Sequence, residues 1–420
     1  MKIPSNGKVI VFDDKYDQIA NLLKSLSQEK IPYLYYQDEA GSDLPDVPVR
    51  NVRLVILDLQ LVSDQNFSEE NIVSSVGARF ERTLEPNVPY ILIYWSTKAK
   101  KYQTILEKSF EDRLSQFTPL VSVSMKKSEA LKANNPVEFI KNELKQITEE
   151  FSSYYTMGMW ESAVNDAAGS ITNSLINIFD RQKNWDKNFK NLIYSLALAE
   201  IGKSHLPEYS DNEKLKAAIS VINSMFIDSI DLETDKAFSE VEITDIKQGG
   251  NGLSKEARIS LNSKLHALND SPLKGLVRGN LYVEELNPIG KKIFKEDVKA
   301  TFQESLKKEK TKIKSLKLDI TPACDYAQKK GYSRILHGIA IAADVERKNL
   351  QDGEYMYKQS PTILIGGEPY FIFFDFRYLD SLDSSTLSTT TVNLRLRLNI
   401  ILDIQAQISH NFNRPGIVTI

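Results

Sequence analysis

Two short stretches carry the residue types that can do chemistry: Lys8–Asp14, KVIVFDD, and Leu54–Leu59, LVILDL. Each is a run of β-branched and aliphatic residues that breaks on carboxylates, as a buried parallel strand does when it reaches the carboxyl edge of its sheet. Side by side, two such strands bring Asp13, Asp14 and Asp58 to one edge. Three carboxylates that close raise one another's pKa unless a proton or a hard cation lies among them. Mg²⁺ suits such a set, because it takes oxygen ligands and keeps several waters.

The elements that must position these acids follow in order. Apolar residues at Ile19, Leu22, Leu23 and Leu26 have the spacing of a helix packing one face on a sheet. Tyr33–Tyr36 reads as a second strand, and the acidic, Gly- and Pro-bearing stretch Asp38–Pro48 as a surface loop before the third. Asn66–Leu84 is predicted helical, Pro89–Trp95 a strand, Lys98–Phe117 an amphipathic helix with Tyr102, Ile105, Leu106 and Phe110 inward, and Leu120–Met125 a fifth strand.

With these pieces in order, Lys8–Lys126 resembles the receiver domain of bacterial two-component response regulators, an α/β flavodoxin-like (βα)5 fold. The resemblance implies that Asp13 and Asp14 are the family's acidic pair and that Asp58 is its phospho-acceptor. It further implies that Ser96, in Tyr94-Trp95-Ser96-Thr97, is the hydroxyl residue, and that Lys126 or its neighbour Lys127 is the lysine after strand 5. Mg²⁺ would be held by Asp13, Asp14, Asp58 and the backbone carbonyl near Gln60, with a histidine kinase as phosphoryl donor. The chain departs from the family in its long segment from Asp58 to Ser96, in Thr97 where a small residue is usual, and in lacking the proline after the acceptor. The aromatic switch position would be Val123, or Ser124 if the lysine is Lys127.

Composition bounds the rest. The 420 residues are 41% hydrophobic and 26% charged, which fits a globular protein of two or three domains. A net charge of −3 argues against general nucleic-acid affinity. The single cysteine, Cys324, excludes an internal disulfide framework and makes no zinc spacing with four scattered histidines. No signal-peptide pattern or apolar run of about 20 residues is present. These features point to the cytoplasm and to no membrane partner.

The predicted domains are a receiver over 1–135, a helical middle domain over 136–305 and a small β-rich (α+β) domain over 306–420. Helical spacing runs through Phe139, Ile140, Leu144, Ile147 and Phe151, then Ile171–Phe179, Phe189–Ile201 and Leu215–Ile227. Gly249–Gly252 breaks the pattern, and lacks the lysine and hydroxyl residue of a phosphate loop. The lysine-rich stretch Leu306–Lys317 reads as a solvated face before one of phosphate binding. Ser315–Ile320, Ile335–Ala342, Thr362–Ile365 and Tyr370–Phe376 are β-like, with Gly366–Pro369 as a hairpin turn and Leu394–Ile408 as a closing helix over a barrel-like sheet.

Two further constellations compete for function. Thr321–Gln328, TPACDYAQ, resembles a TPxCDxAQ-type motif of uncharacterised bacterial proteins. Cys324 beside Asp325, with His337 or His410 as base, would make an enzymatic or toxin-like effector, against the simpler reading of a buried small thiol next to a helix-capping aspartate. Arg377, Arg395, Arg397 and Arg414 lack the aromatic interleaving of a nucleic-acid site and read as surface salt links. The resulting expectation is an atypical response regulator with a protein–protein output through a partner the sequence does not name, or a phosphate buffer resembling accessory receivers of Detocs-like antiphage phosphorelays. An unphosphorylated scaffold, in which the receiver fold serves homodimerisation, is the third reading.

Overall fold

The computed structural model describes residues 8–37, 43–59, 68–96, 99–179, 184–239, 253–268, 276–298, 312–328, 330–343, 356–357 and 362–412. Gln60, Thr97, Gly249–Gly252 and Arg414 lie outside them. The chain divides into two compact units, Met1–Phe189 with Ile222–Ile246, and Lys190–Val221 with Lys247–Ile420.

The first unit is built on β1 (Lys8–Phe12), β2 (Tyr33–Tyr36), β3 (Val52–Leu57), β4 (Ile91–Ser96) and β5 (Val121–Lys126), all parallel, in the order β2-β1-β3-β4-β5. That 2-1-3-4-5 order is the flavodoxin-like one. Side-chain alternation sorts the apolar runs into two layers. Ile10, Phe12, Val55, Leu57, Leu92 and Tyr94 face one core with Ile72, Val76 and Phe80 of helix α2 (Glu69–Thr83) and Leu106 of α3 (Ala99–Ser109). Val9, Val11, Leu54, Ile56, Ile93 and Trp95 face the other. There they meet Ile19, Leu22 and Leu26 of α1 (Tyr16–Gln28), Ala130 of the short α4 (Lys127–Lys132), and Ile140 and Leu144 of α5 (Pro136–Glu150). Burial on both faces explains why these strands read as unbroken apolar runs. No helix joins β2 to β3 among the described residues, since Pro45 and Pro48 disfavour one.

Past Phe151 the chain enters α6 (Ser152–Ile176), α7 (Trp185–Ile201), α8 (Asp211–Ser224) and α9 (Phe226–Phe238). Helix α6 is tied to β3 by a fork in which Arg53 donates to both carboxylate oxygens of Glu161, at 2.6 to 3.2 Å. In the second unit Ala197, Ile201, Leu206 and Ala218 form a small apolar cluster.

The second unit also holds α10 (Lys255–His266), α11 (Pro288–Ile293) and an eight-stranded antiparallel sheet. Its strands are β6 (Ala267–Leu268), β7 (Asn280–Glu285), β8 (Ile313–Asp319), β9 (Tyr332–Ala342), β10 (Met356–Tyr357), β11 (Ile363–Ile365), β12 (Glu368–Asp383) and β13 (Leu394–Leu396). The order is β10-β12-β9-β8-β7-β13-β6, with β11 on β12 and no pairing between the end strands among the described residues. The segment read as one helix from Leu394 is strand β13 followed by helix Leu398–Phe412, because Leu394 and Arg395 pair with Leu281 and Asn280 of β7. Ile400, Ile401, Ile404 and Ile408 of that helix cover one sheet face.

His337 on β9 carries an expected pH dependence for this sheet. The side chain is buried, and its Nε2 has no hydrogen-bond partner and lies 3.9 Å from Asp380 Oδ2. Burial pushes its pKa down; Asp380 on β12 and Glu284 on β7 oppose the shift, and Lys317 on β8 adds to it. The unfolded chain therefore binds a proton that the folded chain resists. Stability is full above the unfolded value of about 6.5 and falls as pH drops through it toward the folded value. Wild-type protein should lose urea resistance between about pH 7.5 and 5.5, and His337→Gln should flatten that slope.

Candidate functional site

Strand register brings the acids together. Phe12 pairs with Leu57, so Asp13 and Asp58, the next residue on each strand, emerge side by side at the carboxyl edge. Asp58 N–H donates to Phe12 O at 2.9 Å and Asp13 N–H to Tyr36 O at 3.3 Å, extending the ladder by one residue. Both carboxylates are buried and Asp14 is half-buried. One oxygen from each of the three lies within 4.8 Å of the others.

The lysine among them is Lys127, not Lys126. Its Nζ donates to Asp58 Oδ2 at 2.6 Å and to Asp13 Oδ2 at 2.8 Å, with its side chain fully buried. Lys126 points outward, 68% exposed, and pairs with Glu129 at 2.6 Å. The cause is the period of the strand: Val121, Val123 and Met125 pack on the sheet's core, and the next odd position is 127. Ser96 is buried at the end of β4, opposite Lys126 in register. With Lys127 as the reference, the position three residues earlier is Ser124, whose hydroxyl donates to Gln103 Oε1 at 2.6 Å.

Electrostatics follow from burial. Burial raises the pKa of Asp13, against the Lys127 ammonium, which favours the carboxylate. Lys15 N–H also donates to Asp13 Oδ1 at 2.8 Å. Tyr35 is an addition that only the structure reveals: its hydroxyl donates to Asp13 O at 2.9 Å, and burial together with Asp13 and Asp14 pushes its pKa up to about 12. The donor set fits a hard divalent cation. Three carboxylates supply oxygen ligands, and Asp14 Oδ1 is buried without any hydrogen-bond partner.

The cysteine-centred constellation is organised differently. Cys324 is exposed rather than buried as expected, with Sγ 3.8 Å from Asp325 Oδ1, and Asp325 does not cap a helix but binds Lys330 at 2.7 Å and Arg334 at 3.3 Å. Neither His337 nor His410 is a hydrogen-bond partner of Cys324 among the described residues. The rest of the motif is a buried polar brace. Asp319 accepts from Thr321 N–H at 2.9 Å and from the Tyr326 hydroxyl, and Thr321 Oγ1 accepts from Arg334 N–H at 2.7 Å. Of the arginines, Arg377 pairs with Asp375 at 2.6 Å, Arg395 donates to Asn280 Oδ1 at 2.9 Å and Arg397 to Lys264 O at 3.0 Å, so they fasten the sheet.

No helix among the described residues is long and apolar enough to cross a membrane. No family model matches the chain, and no curated protein matches it. Among solved structures, full-length FixJ from B. japonicum is similar at 9% identity over 56% of this chain and 99% of that one, with a TM-score of 0.19. The site geometry stands independently of that likeness.

Proposed function

We propose that the first unit is a phospho-receiver in which Asp58 accepts a phosphoryl group, with a histidine kinase as donor. The observation that carries this reading is the convergence of Asp13, Asp14, Asp58 and Lys127 on the carboxyl edge of a parallel sheet of 2-1-3-4-5 order.

In the reaction, a carboxylate oxygen of Asp58 attacks phosphorus in line. The bond from phosphorus to the donor breaks, its electron pair leaves with the donor, and an aspartyl phosphate forms. Lys127 holds Asp58 Oδ2 in the resting site and must release it, after which its ammonium pairs with a phosphoryl oxygen. The Ser96 hydroxyl donates to a second phosphoryl oxygen. Asp13 and Asp14 would hold Mg²⁺, which would supply neutralisation of the phosphoryl charge. Swapping a lysine–carboxylate contact for a lysine–phosphoryl contact moves the loops at this edge, and the output is read by another protein.

Acetyl phosphate with Mg²⁺, followed by intact mass, tests this. Wild type should gain one base-labile phosphoryl group and Asp58→Asn none. Failure of wild type to take either the phosphoryl group or beryllofluoride would remove the reading.

A further inference from the structure

The loop that carries the acidic pair is held from one side by the end of β2. Tyr35 lies opposite Val11 in the β1–β2 register and packs on the same sheet face, two residues before Asp13. Two residues of strand are about 7 Å, a length that a phenol spans and a serine or threonine hydroxyl does not. The Tyr35 hydroxyl accordingly reaches the Asp13 carbonyl oxygen and donates to it at 2.9 Å, while its ring lies 6.0 Å from that of Tyr16. Gln37, just past β2, donates from Nε2 to the Asp14 carbonyl oxygen at 3.3 Å. Between them Tyr36 O accepts from Asp13 N–H at 3.3 Å, so three consecutive residues hold the pair.

These bonds fix a direction. A peptide group is planar, so a carbonyl held at its oxygen orients the whole unit. The Asp13 carbonyl belongs to the plane before Asp14 Cα, and the Asp14 carbonyl to the plane after it. Holding both sets the backbone dihedrals at Asp14, and with them the direction of its Cβ. Asp13 has side-chain anchors of its own, Lys127 Nζ on Oδ2 and Lys15 N–H on Oδ1. Asp14 Oδ1 is buried without a hydrogen-bond partner, so its aim depends on the backbone. With that backbone released, the carboxylate would turn to water, away from the two that repel it.

We propose that Tyr35 and Gln37 are positioning residues that aim Asp14 at the cation by clamping the peptide planes on either side of its Cα. The assignment rests on the acidic set being a divalent-cation site, as read above. Titration of the full chain with Mn²⁺, followed as loss of the free-ion EPR signal, tests it without phosphoryl chemistry. Tyr35→Phe keeps the ring beside Tyr16 and removes only the donor, and should weaken Mn²⁺ binding about tenfold, as loss of a group that orients a metal ligand does. Gln37→Ala, which loses a longer and exposed bond, should weaken it about threefold. Tyr33→Phe deletes a hydroxyl on the same strand opposite Val9, further from the acids, and should bind as wild type. A clamp that only holds the fold together would lower the urea midpoint of Tyr35→Phe in EDTA and leave its Mn²⁺ affinity unchanged, which overturns the proposal. Equal weakening by Tyr33→Phe also overturns it. A wild type that binds no Mn²⁺ overturns the reading of the acids as a cation site and the clamp with it, whereas wild-type binding that Tyr35→Phe retains in full overturns the clamp alone.

Discussion

Lys127→Met is expected to destabilise the first unit by about 3–5 kcal/mol at neutral pH. In the native site one ammonium lies between two carboxylates, at 2.6 and 2.8 Å, and all three side chains are buried. A buried ion pair adds little net stability over an apolar pair of the same shape, because both charges must be desolvated. Removing one partner is different, since it leaves Asp13 and Asp58 facing each other without the Lys127 ammonium between them. The methionine preserves most of the packing volume, which isolates the charge effect. Urea unfolding followed by the fluorescence of Trp95, fully buried in this core, measures the loss. Millimolar Mg²⁺ should restore more stability to the variant than to wild type, since a cation that binds only the folded acids stabilises by linkage and no longer competes with the lysine. Equal unfolding midpoints for wild type and variant would mean that Lys127 does not occupy the acidic cluster in solution.

Gly338→Ala should be the most damaging single-methyl change in the second unit. Gly338 sits in β9 between Phe374 of β12 and Leu316 of β8. A Cβ there would collide with the Phe373 carbonyl oxygen and stand 2.6 Å from Phe374 Cδ1. The obstacle is partly backbone, so no rotamer change relieves it and the β9–β12 ladder must open. The expected cost is about 3 kcal/mol or more, a lowering of this unit's thermal transition by roughly 6–12 °C. Scanning calorimetry reads the shift, and the unfolding of the first unit, followed by its Trp95 fluorescence, provides an internal control that should be unchanged. A transition within about 1 °C of wild type would exclude the tight crossing of β9 and β12 at this point.

How much was legible in the chain depended on whether the signal was local. In KVIVFDD and LVILDL the change from aliphatic residues to carboxylates marks both the buried strand and its end, so Asp13, Asp14 and Asp58 could be placed on one edge before any contact was known. The loop after β2 was equally plain, since Pro45 and Pro48 work against a helix. The second sheet was less readable. Asn280–Glu285 is a strand because it lies between Leu394–Leu396 and β8, and Leu394–Leu396 because it lies between Asn280–Glu285 and β6, partners supplied by segments distant along the chain. The polar end of β12, through Asp383, pairs with Tyr332–Leu336 for the same reason. A three-residue strand such as Leu394–Leu396 has too few positions for alternation to outweigh the helical period that follows it.

The sequence alone determined the acidic set, the alternation that packs a parallel sheet between two helical layers, and the slightly acidic charge balance, because these depend on residue type and short-range period. Tertiary structure decided between Lys126 and Lys127, added Tyr35 behind Asp13, and turned TPACDYAQ into a polar brace rather than a nucleophile with its base. The physical reason is reach. Where a lysine ammonium or an aspartate carboxylate ends up is set by which strands lie alongside and how much water they exclude, and neither is written in the spacing of one segment.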